Sequence, residues 1–166
     1  MTTRRTFLSA SAVGGLSLVS AKEESRQREL PQELYNILQK VQNHLFPKGT
    51  LLPSASLFGA TDFLQETLYH SSYDRDIRNF VLRGAKELRD THKGELLNYN
   101  EEQMEKALRN FEETKMGSNW LSRVMILSIE ALLSDPIYGG NFQELGWKAL
   151  ETTGGSPRPT SRYVAL

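Results

Sequence analysis

The residue types that most often carry catalysis are sparse in this 166-residue chain, which contains no cysteine and three histidines. The absence of cysteine excludes disulfides, thiol nucleophiles, cysteine-ligated iron–sulfur clusters and covalently attached c-type haem. None of the histidines, His44, His70 and His92, has a second ligand three or four positions away, the spacing that places two metal ligands on one helical face. Each lies near the end of a predicted helix, so we expect surface or capping roles and no metal site.

Other motifs point the same way. Asp74 and Asp76 could chelate a divalent ion, but carboxylates in the first turn of a helix are explained by the helix dipole. The nucleophile motifs Gly-x-Ser-x-Gly and Ser-x-x-Lys are missing, and the Gly-Gly pairs at 14–15, 139–140 and 154–155 do not form a phosphate-binding pattern. The chain is therefore predicted to have no catalytic residue and no cofactor of its own.

The composition is that of an ordinary globular protein, with 39% hydrophobic and 24% charged residues. Basic and acidic residues balance at 20 each, and loss of a leader containing Arg4 and Arg5 would leave a net charge of −2. Binding to nucleic acid requires concentrated Lys and Arg against the phosphates. A near-neutral chain without basic clusters excludes nucleic acid as a partner.

The spacing of apolar residues predicts an all-α domain of about five main helices. Ten of the fourteen residues at 120–133 are apolar and surround the helix axis, so the fifth helix should be central. The first predicted helix runs from Pro31 to just before Phe46, and the second from Ser54 to about Tyr69. The third begins at a cap, Ser72 or Asp74, and ends at about Thr91. The fourth runs from a cap at Asn100 to near Met116 and Gly117, the fifth from Ser118 to Ser134, and a short helix follows around Leu145 to Leu150.

The N-terminus resembles a bacterial twin-arginine export signal. Arg4 and Arg5 are followed by Phe7 and Leu8, then by a mildly apolar run that ends in small residues at Ala21, where we expect cleavage. The alternative is an N-terminal helix that happens to begin with two arginines, and the run is shorter than the ~20 residues that span a bilayer. The predicted organisation is a signal peptide (1–21), a linker (22–30), a helical domain (31–153) and a flexible tail (154–166).

One stretch is more distinctive than the rest: Asp135-Pro136-Ile137-Tyr138-Gly139-Gly140-Asn141, followed by Gly146-Trp147-Lys148. Proline ends the central helix, and glycine and asparagine tolerate positive φ, so the chain should reverse direction here. Trp147 could serve either as a core residue or as an interface anchor.

This stretch, with the leader and the helices, resembles the gluconate 2-dehydrogenase subunit 3 family, the small subunits of membrane-bound FAD-dependent sugar and sugar-acid dehydrogenases. The resemblance implies a noncatalytic periplasmic subunit. Its partners would be an FAD-containing large subunit of the glucose-methanol-choline type, a cytochrome subunit with haem c, and the twin-arginine translocase during export. The docking surface would comprise Asp135, Pro136, Tyr138, Gly139, Gly140, Asn141, Gly146 and Trp147, and the tail from Ser156 to Leu166 could wrap the partner.

The family commonly continues with a Gly-Phe-Pro-Gly-like turn, which this chain lacks after Lys148, so the substrate of the partner stays open. Two other functions are considered. The chain could be a free-standing periplasmic module in which the aromatic turn lines a small-ligand pocket. It could also be a dehydrogenase itself, which would need a flavin site that the sequence does not show.

Overall fold

The structure, a computed structural model, describes residues 29–162. The predicted leader, with Arg4, Arg5, Phe7, Leu8 and Ala21, lies outside the described residues. Within 29–162 the chain forms α-helices and short 3₁₀ turns and no strand, which confirms the all-α prediction. The helices are α1 (Gln32–Leu45), α2 (Ala55–Phe58), α3 (Ala60–Tyr69), α4 (Arg75–Thr91), α5 (Glu101–Glu112), α6 (Lys115–Leu133) and α7 (Leu145–Ala149), and the 3₁₀ turns are Glu95–Asn98, Pro136–Tyr138 and Phe142–Glu144.

Helix α6 is central, as its composition predicts, because it contacts all six other helices. Trp120 is completely buried on α6 and packs edge to face against Phe111 of α5. Its indole Nε1 donates a hydrogen bond to the carbonyl oxygen of Val81 in α4, at 2.8 Å. One side chain thereby joins three helices, and its polar atom is satisfied inside the core.

A smaller apolar cluster lies where α2, α3 and the C-terminal half of α6 meet. Phe46 and Phe58 pack edge to face there, with ring centroids 5.5 Å apart. Ala131 and Leu132 supply the α6 side of this cluster. The last turn of α6 is thus held from one side by α2 and α3, and the distinctive stretch follows it directly.

A buried polar network crosses the core between α1, α3 and α6. The amide of Gln42 donates to Ser128 Oγ at 3.0 Å and accepts from Thr61 Oγ1 at 2.8 Å. Ser128 Oγ in turn donates to the carbonyl oxygen of Val124. Because buried polar groups are costly unless paired, this network fixes how the three helices are aligned.

The prediction of one continuous second helix, from Ser54 to about Tyr69, is wrong in one respect. The structure has two helices there, α2 and α3, separated at Gly59. Gly59 has φ 76°, a left-handed conformation, and its N–H closes the short helix on Ala55 O. A Cβ at this position would lie 3.0 Å from the carbonyl oxygen of Gly139. The helical periodicity continues through the break, so apolar spacing alone could not reveal it.

The boundary between the fourth and fifth predicted helices is also wrong. Helix α5 ends at Glu112 and α6 begins at Lys115, several residues before the predicted boundary at Met116 and Gly117. Thr114 is the N-cap, because its Oγ1 accepts a hydrogen bond from Gly117 N at 2.9 Å. The start of α6 is therefore determined by the capping side chain of Thr114, and the residues after it carry no further start signal.

Two predicted caps are confirmed. Asp74 accepts hydrogen bonds from the N–H groups of Asp76 and Ile77, which favours a capping role for this carboxylate. Asn100 and Gln103 form a reciprocal capping box at the start of α5. In the described part of the chain, no helix combines the length and the apolar character needed to cross a bilayer.

Candidate functional site

The stretch after α6 forms a tight reversal. Asp135 caps the 3₁₀ turn Pro136–Tyr138 by accepting from Ile137 N at 3.0 Å. Gly139 and Asn141 take positive φ angles of 92° and 47°. Gly140 does not have a positive φ, but a Cβ there would lie 2.5 Å from the carbonyl oxygen of Ala131. Gly139 and Asn141 therefore allow the backbone conformation of the turn, and Gly140 allows its close approach to α6.

The reversal brings two side chains back to the end of α6. Asn141 is fully buried; its Nδ2 donates to Ser134 O at 2.9 Å and its Oδ1 accepts from Gly146 N at 2.8 Å. The indole Nε1 of Trp147 donates to Leu133 O at 2.9 Å. The final carbonyls of a helix have no partner within the helix, so these two side chains cap α6 from downstream.

Trp147 is only 7% exposed, and the chain that follows covers it. A Cβ on Gly154 would lie 2.4 Å from the indole ring, and the guanidinium carbon of Arg158 lies 4.7 Å from the ring centroid. The sequence left two roles open for Trp147, a core residue or an interface anchor, and this geometry is that of a core residue. A partner that reached the face of the indole under Arg158 would have to displace this arginine.

Arg158 is also the centre of an ion-pair cluster. It pairs with Asp135, whose side chain is 12% exposed, and its Nη1 lies 3.0 Å from Oε1 of Glu144. The hydrogen bond from Arg158 holds the pKa of Asp135 below its usual value, and the two carboxylates raise the pKa of Arg158. Farther along, Arg162 pairs with Glu66 of α3. Gly154, Arg158 and Arg162 of the predicted tail thus contact their own domain.

Between the reversal and α7, the backbone carries three non-glycine residues with positive φ: Asn141, Gln143 (54°) and Glu144 (60°). Such residues cost free energy and concentrate at functional sites. Phe142 lies among them with 59% of its surface exposed. The turn Phe142–Glu144 contacts α2, and α2 contacts α7. Leu57 of α2 is 54% exposed, and Leu150, which directly follows α7, is 46% exposed; we call Leu57, Phe142 and Leu150 the apolar end face.

A second apolar surface runs along α6. Ile126, Ile129 and Leu133 are 45%, 41% and 44% exposed, so one stripe of this central helix is not covered by its neighbours. Ile129 and Leu133 line a groove of about 630 Å³ between α3 and α6, with Phe63, Thr67, Tyr73 and Tyr138 among its other walls. An apolar groove of this volume is a candidate binding surface.

The histidines make local contacts. His44 Nε2 lies 2.6 Å from Glu105 Oε2, His70 contacts Ser72, and His92 contacts Tyr99. The hydrogen bond from His44, with a second from Arg109, holds the pKa of Glu105 below its usual value. No group of three potential metal ligands occurs among residues 29–162. The same part of the chain has no strand from which a dinucleotide-binding loop could begin.

Three participants in this site were not found from the sequence: Phe142, Glu144 and Arg158. Phe142 and Glu144 lie inside the distinctive stretch, yet neither has a residue type that specifies a turn. Arg158 lies in a polar tail without periodicity. The sequence did place Arg158 close to Trp147 and to the acidic residue Asp135. Arginines near aromatic and acidic residues are common, so this proximity did not single out Arg158.

Comparison with known proteins gives one result. No match was found among curated proteins or among solved structures. Residues 32–155 match the family described as gluconate 2-dehydrogenase subunit 3. The match spans α1 to α7 and includes the capped end of α6, the strained turn and the apolar end face. The chain therefore belongs to the gluconate 2-dehydrogenase subunit 3 family.

Proposed function

We propose that this chain is a noncatalytic accessory subunit that binds, stabilises and escorts an FAD-dependent sugar or sugar-acid dehydrogenase of the glucose-methanol-choline type. The family name supports membership of a dehydrogenase complex. The observation that carries the docking role is Phe142, a phenylalanine 59% exposed on a strained turn within the family match. The apolar end face is our proposed surface for the large subunit.

The physical case for docking rests on area and rigidity. Burying an exposed phenylalanine or leucine side chain fully contributes about 1.5–3 kcal/mol, and well-packed aromatic residues are typical binding hot spots. Asn141 is fixed by two hydrogen bonds, and Glu144 is paired with Arg158. Phe142 lies between these two fixed residues, so little conformational entropy would be lost when a partner covers it.

In this proposal the chemistry belongs to other subunits. The large subunit binds FAD and oxidises the sugar, and a cytochrome subunit with haem c takes the electrons. This chain supplies the twin-arginine signal at Arg4 and Arg5, so that the partner can fold with its flavin before export. The assembled complex would act in the periplasm and be associated with the membrane through another subunit.

The test is co-purification of the tagged chain with the dehydrogenase subunit, followed by mass spectrometry and a flavin spectrum. Phe142→Ser should weaken the purified complex by ~2 kcal/mol, which is roughly a 30-fold increase in Kd. Leu57→Ser should weaken it less. Leu97→Ser is the matched control, because Leu97 is an exposed leucine outside the end face (36%).

A folded Phe142→Ser variant that binds with unchanged affinity would refute the proposed surface. Recovery of a single colourless protein would refute the escort role. It would instead favour the free-standing binding module in which the turn lines a pocket, since Asp135 and Tyr138 line the groove of about 630 Å³ between α3 and α6.

A further inference from the structure

We propose that α6 packs antiparallel against α6 of a second copy of this chain, about a twofold axis. The contact surface is an exposed row of α6 residues that we call the α6 stripe: Asn119, Ser122, Ile126, Ile129 and Leu133. This inference does not depend on the proposed function, because the α6 stripe shares no residue with the apolar end face. It rests on the spacing of these residues and on two charged residues beside them.

The spacing of the α6 stripe is that of a seam between two helices. Its members are alternately three and four positions apart, the repeat that keeps one face of a helix against a partner helix over several turns. The three apolar members, Ile126, Ile129 and Leu133, are 41–45% exposed and lie in the C-terminal half of the seam. Packing against an equivalent row would remove this apolar surface from water.

The apolar residues determine the register of the antiparallel pair. A twofold axis between positions 127 and 128 places Ile126 opposite Ile129 of the second copy, and Ile129 opposite Ile126 of the second copy. Leu133 then lies opposite Ser122 at each end of the contact. The same residues contribute from both chains, as a twofold interface requires.

Two charged residues, Arg123 and Glu130, flank the α6 stripe on one side. Each directly follows a member of the stripe, and the two are seven positions apart, which places them on the same side of the helix. Burial raises the pKa of Tyr73, and the charge of Arg123 opposes this shift whereas that of Glu130 adds to it, so both charges lie near this phenol. Among residues 29–162, neither charge forms an ion pair within its own chain.

These charges fit the register that the apolar residues determine. In the antiparallel pair, Arg123 lies beside Glu130 of the second copy, and the twofold axis generates the same contact again. A parallel pair would place like charges at the same height along the seam. Flanking charges of opposite sign select partner and orientation in paired helices, and this chain supplies both signs itself. A second copy is therefore the occupant that the charge pattern favours.

Charge exchange tests this register. Sedimentation velocity of the full chain at concentrations up to ~0.5 mM measures the Kd of the dimer. Arg123→Glu and Glu130→Arg should each raise this Kd about tenfold, because each brings like charges together at two symmetric positions. An equimolar mixture of the two variants should dimerise like the wild type, since every flanking pair in a mixed dimer again joins opposite charges. Lys106→Glu, the same charge reversal at an exposed position on α5, is the matched control and should leave the Kd unchanged.

Circular dichroism establishes that each variant is folded before its dimerisation is measured. A wild-type chain that stays monomeric throughout would overturn the proposal. A mixture of the two variants that dimerises no better than either variant alone would also overturn it, because the charges would then not meet across the axis. Loss of the dehydrogenase subunit from Arg123→Glu, without a wild-type dimer, would assign the α6 stripe to that subunit instead. The sedimentation experiment contains no dehydrogenase, so its failure would leave the proposed function standing.

Discussion

Arg158 lies over the indole ring of Trp147, with the guanidinium carbon 4.7 Å from the ring centroid, and pairs at the same time with Asp135. The first and last parts of the family stretch, Asp135 and Trp147, are thus joined by a residue ten positions beyond Lys148, where the stretch ends. Trp147 is covered by its own chain and caps α6 through Leu133 O. This relationship changes what substitutions in the stretch should do.

Trp147→Ala should primarily destabilise the domain. Removing a buried tryptophan typically costs ~3–5 kcal/mol, and here the carbonyl of Leu133 would also lose its partner. Urea denaturation of the purified chain measures the loss. Trp147→Phe keeps most of the packing and should cost less. The hot-spot role considered from the sequence would instead require a variant of normal stability that binds its partner ~2 kcal/mol more weakly.

Asn141→Ala should be more destabilising than Asn141→Gly. Both changes remove the side-chain hydrogen bonds to Ser134 O and Gly146 N, but alanine must also adopt the positive φ of 47°. We expect a difference of ~1 kcal/mol in the free energy of unfolding between the two variants. Equal stabilities would show that backbone strain at this position is unimportant.

Arg158→Gln should lower the thermal midpoint at pH 7, with an effect that shrinks in acid. The pKa of Asp135 is lowered in the folded state, so its pairing stabilises the fold fully above the unfolded pKa of about 3.9, and this contribution is lost as the pH falls through the lower folded value. Thermal denaturation of both proteins between pH 7 and pH 3 measures this. Arg109→Gln is the control, since that exposed pair with Glu105 should contribute little.

Replacing Arg4 and Arg5 by lysine should retain the chain in the cytoplasm, with any bound dehydrogenase. Fractionation and immunoblotting measure its distribution, and N-terminal sequencing of exported wild-type chain should begin at Lys22. The matched control replaces Arg26 and Arg28 by lysine, a change of the same kind outside the predicted leader. Periplasmic accumulation of the Arg4 and Arg5 variant would contradict the twin-arginine assignment.

Apolar periodicity predicted the helical fold and the central position of α6, because both depend on patterns that repeat over many residues. It could not locate the break at Gly59 or the start of α6 at Lys115, since each is decided by one residue acting against a continuing pattern. The exposed stripe on α6 escaped prediction for a related reason. Composition shows that a helix can be buried all round, but the number and placement of its neighbours decide which faces are covered.

The candidate site was predictable in part. The residue types at Gly139 and Asn141 indicated the reversal, because few residues tolerate positive φ. Gln143 and Glu144 also have positive φ, although their residue types rarely do. The residue types therefore gave no sign of the strained turn that presents Phe142. The cover over Trp147 is a contact between a polar tail and a turn, and such contacts follow no periodic rule.

The capping of α6 from downstream also has a consequence for synthesis on the ribosome. Asn141 and Trp147 emerge after every long helix has been made, so the last turn of α6 keeps unpaired carbonyls until residues 141–147 have been added, and Arg158 follows eleven residues after Trp147. A product that terminates between residues 147 and 158 would carry the predicted leader and the capping side chains of α6, but it would lack the guanidinium that covers the indole of Trp147. The cover over Trp147 therefore distinguishes a chain that includes residue 158 from a shorter one that already has its α6 cap.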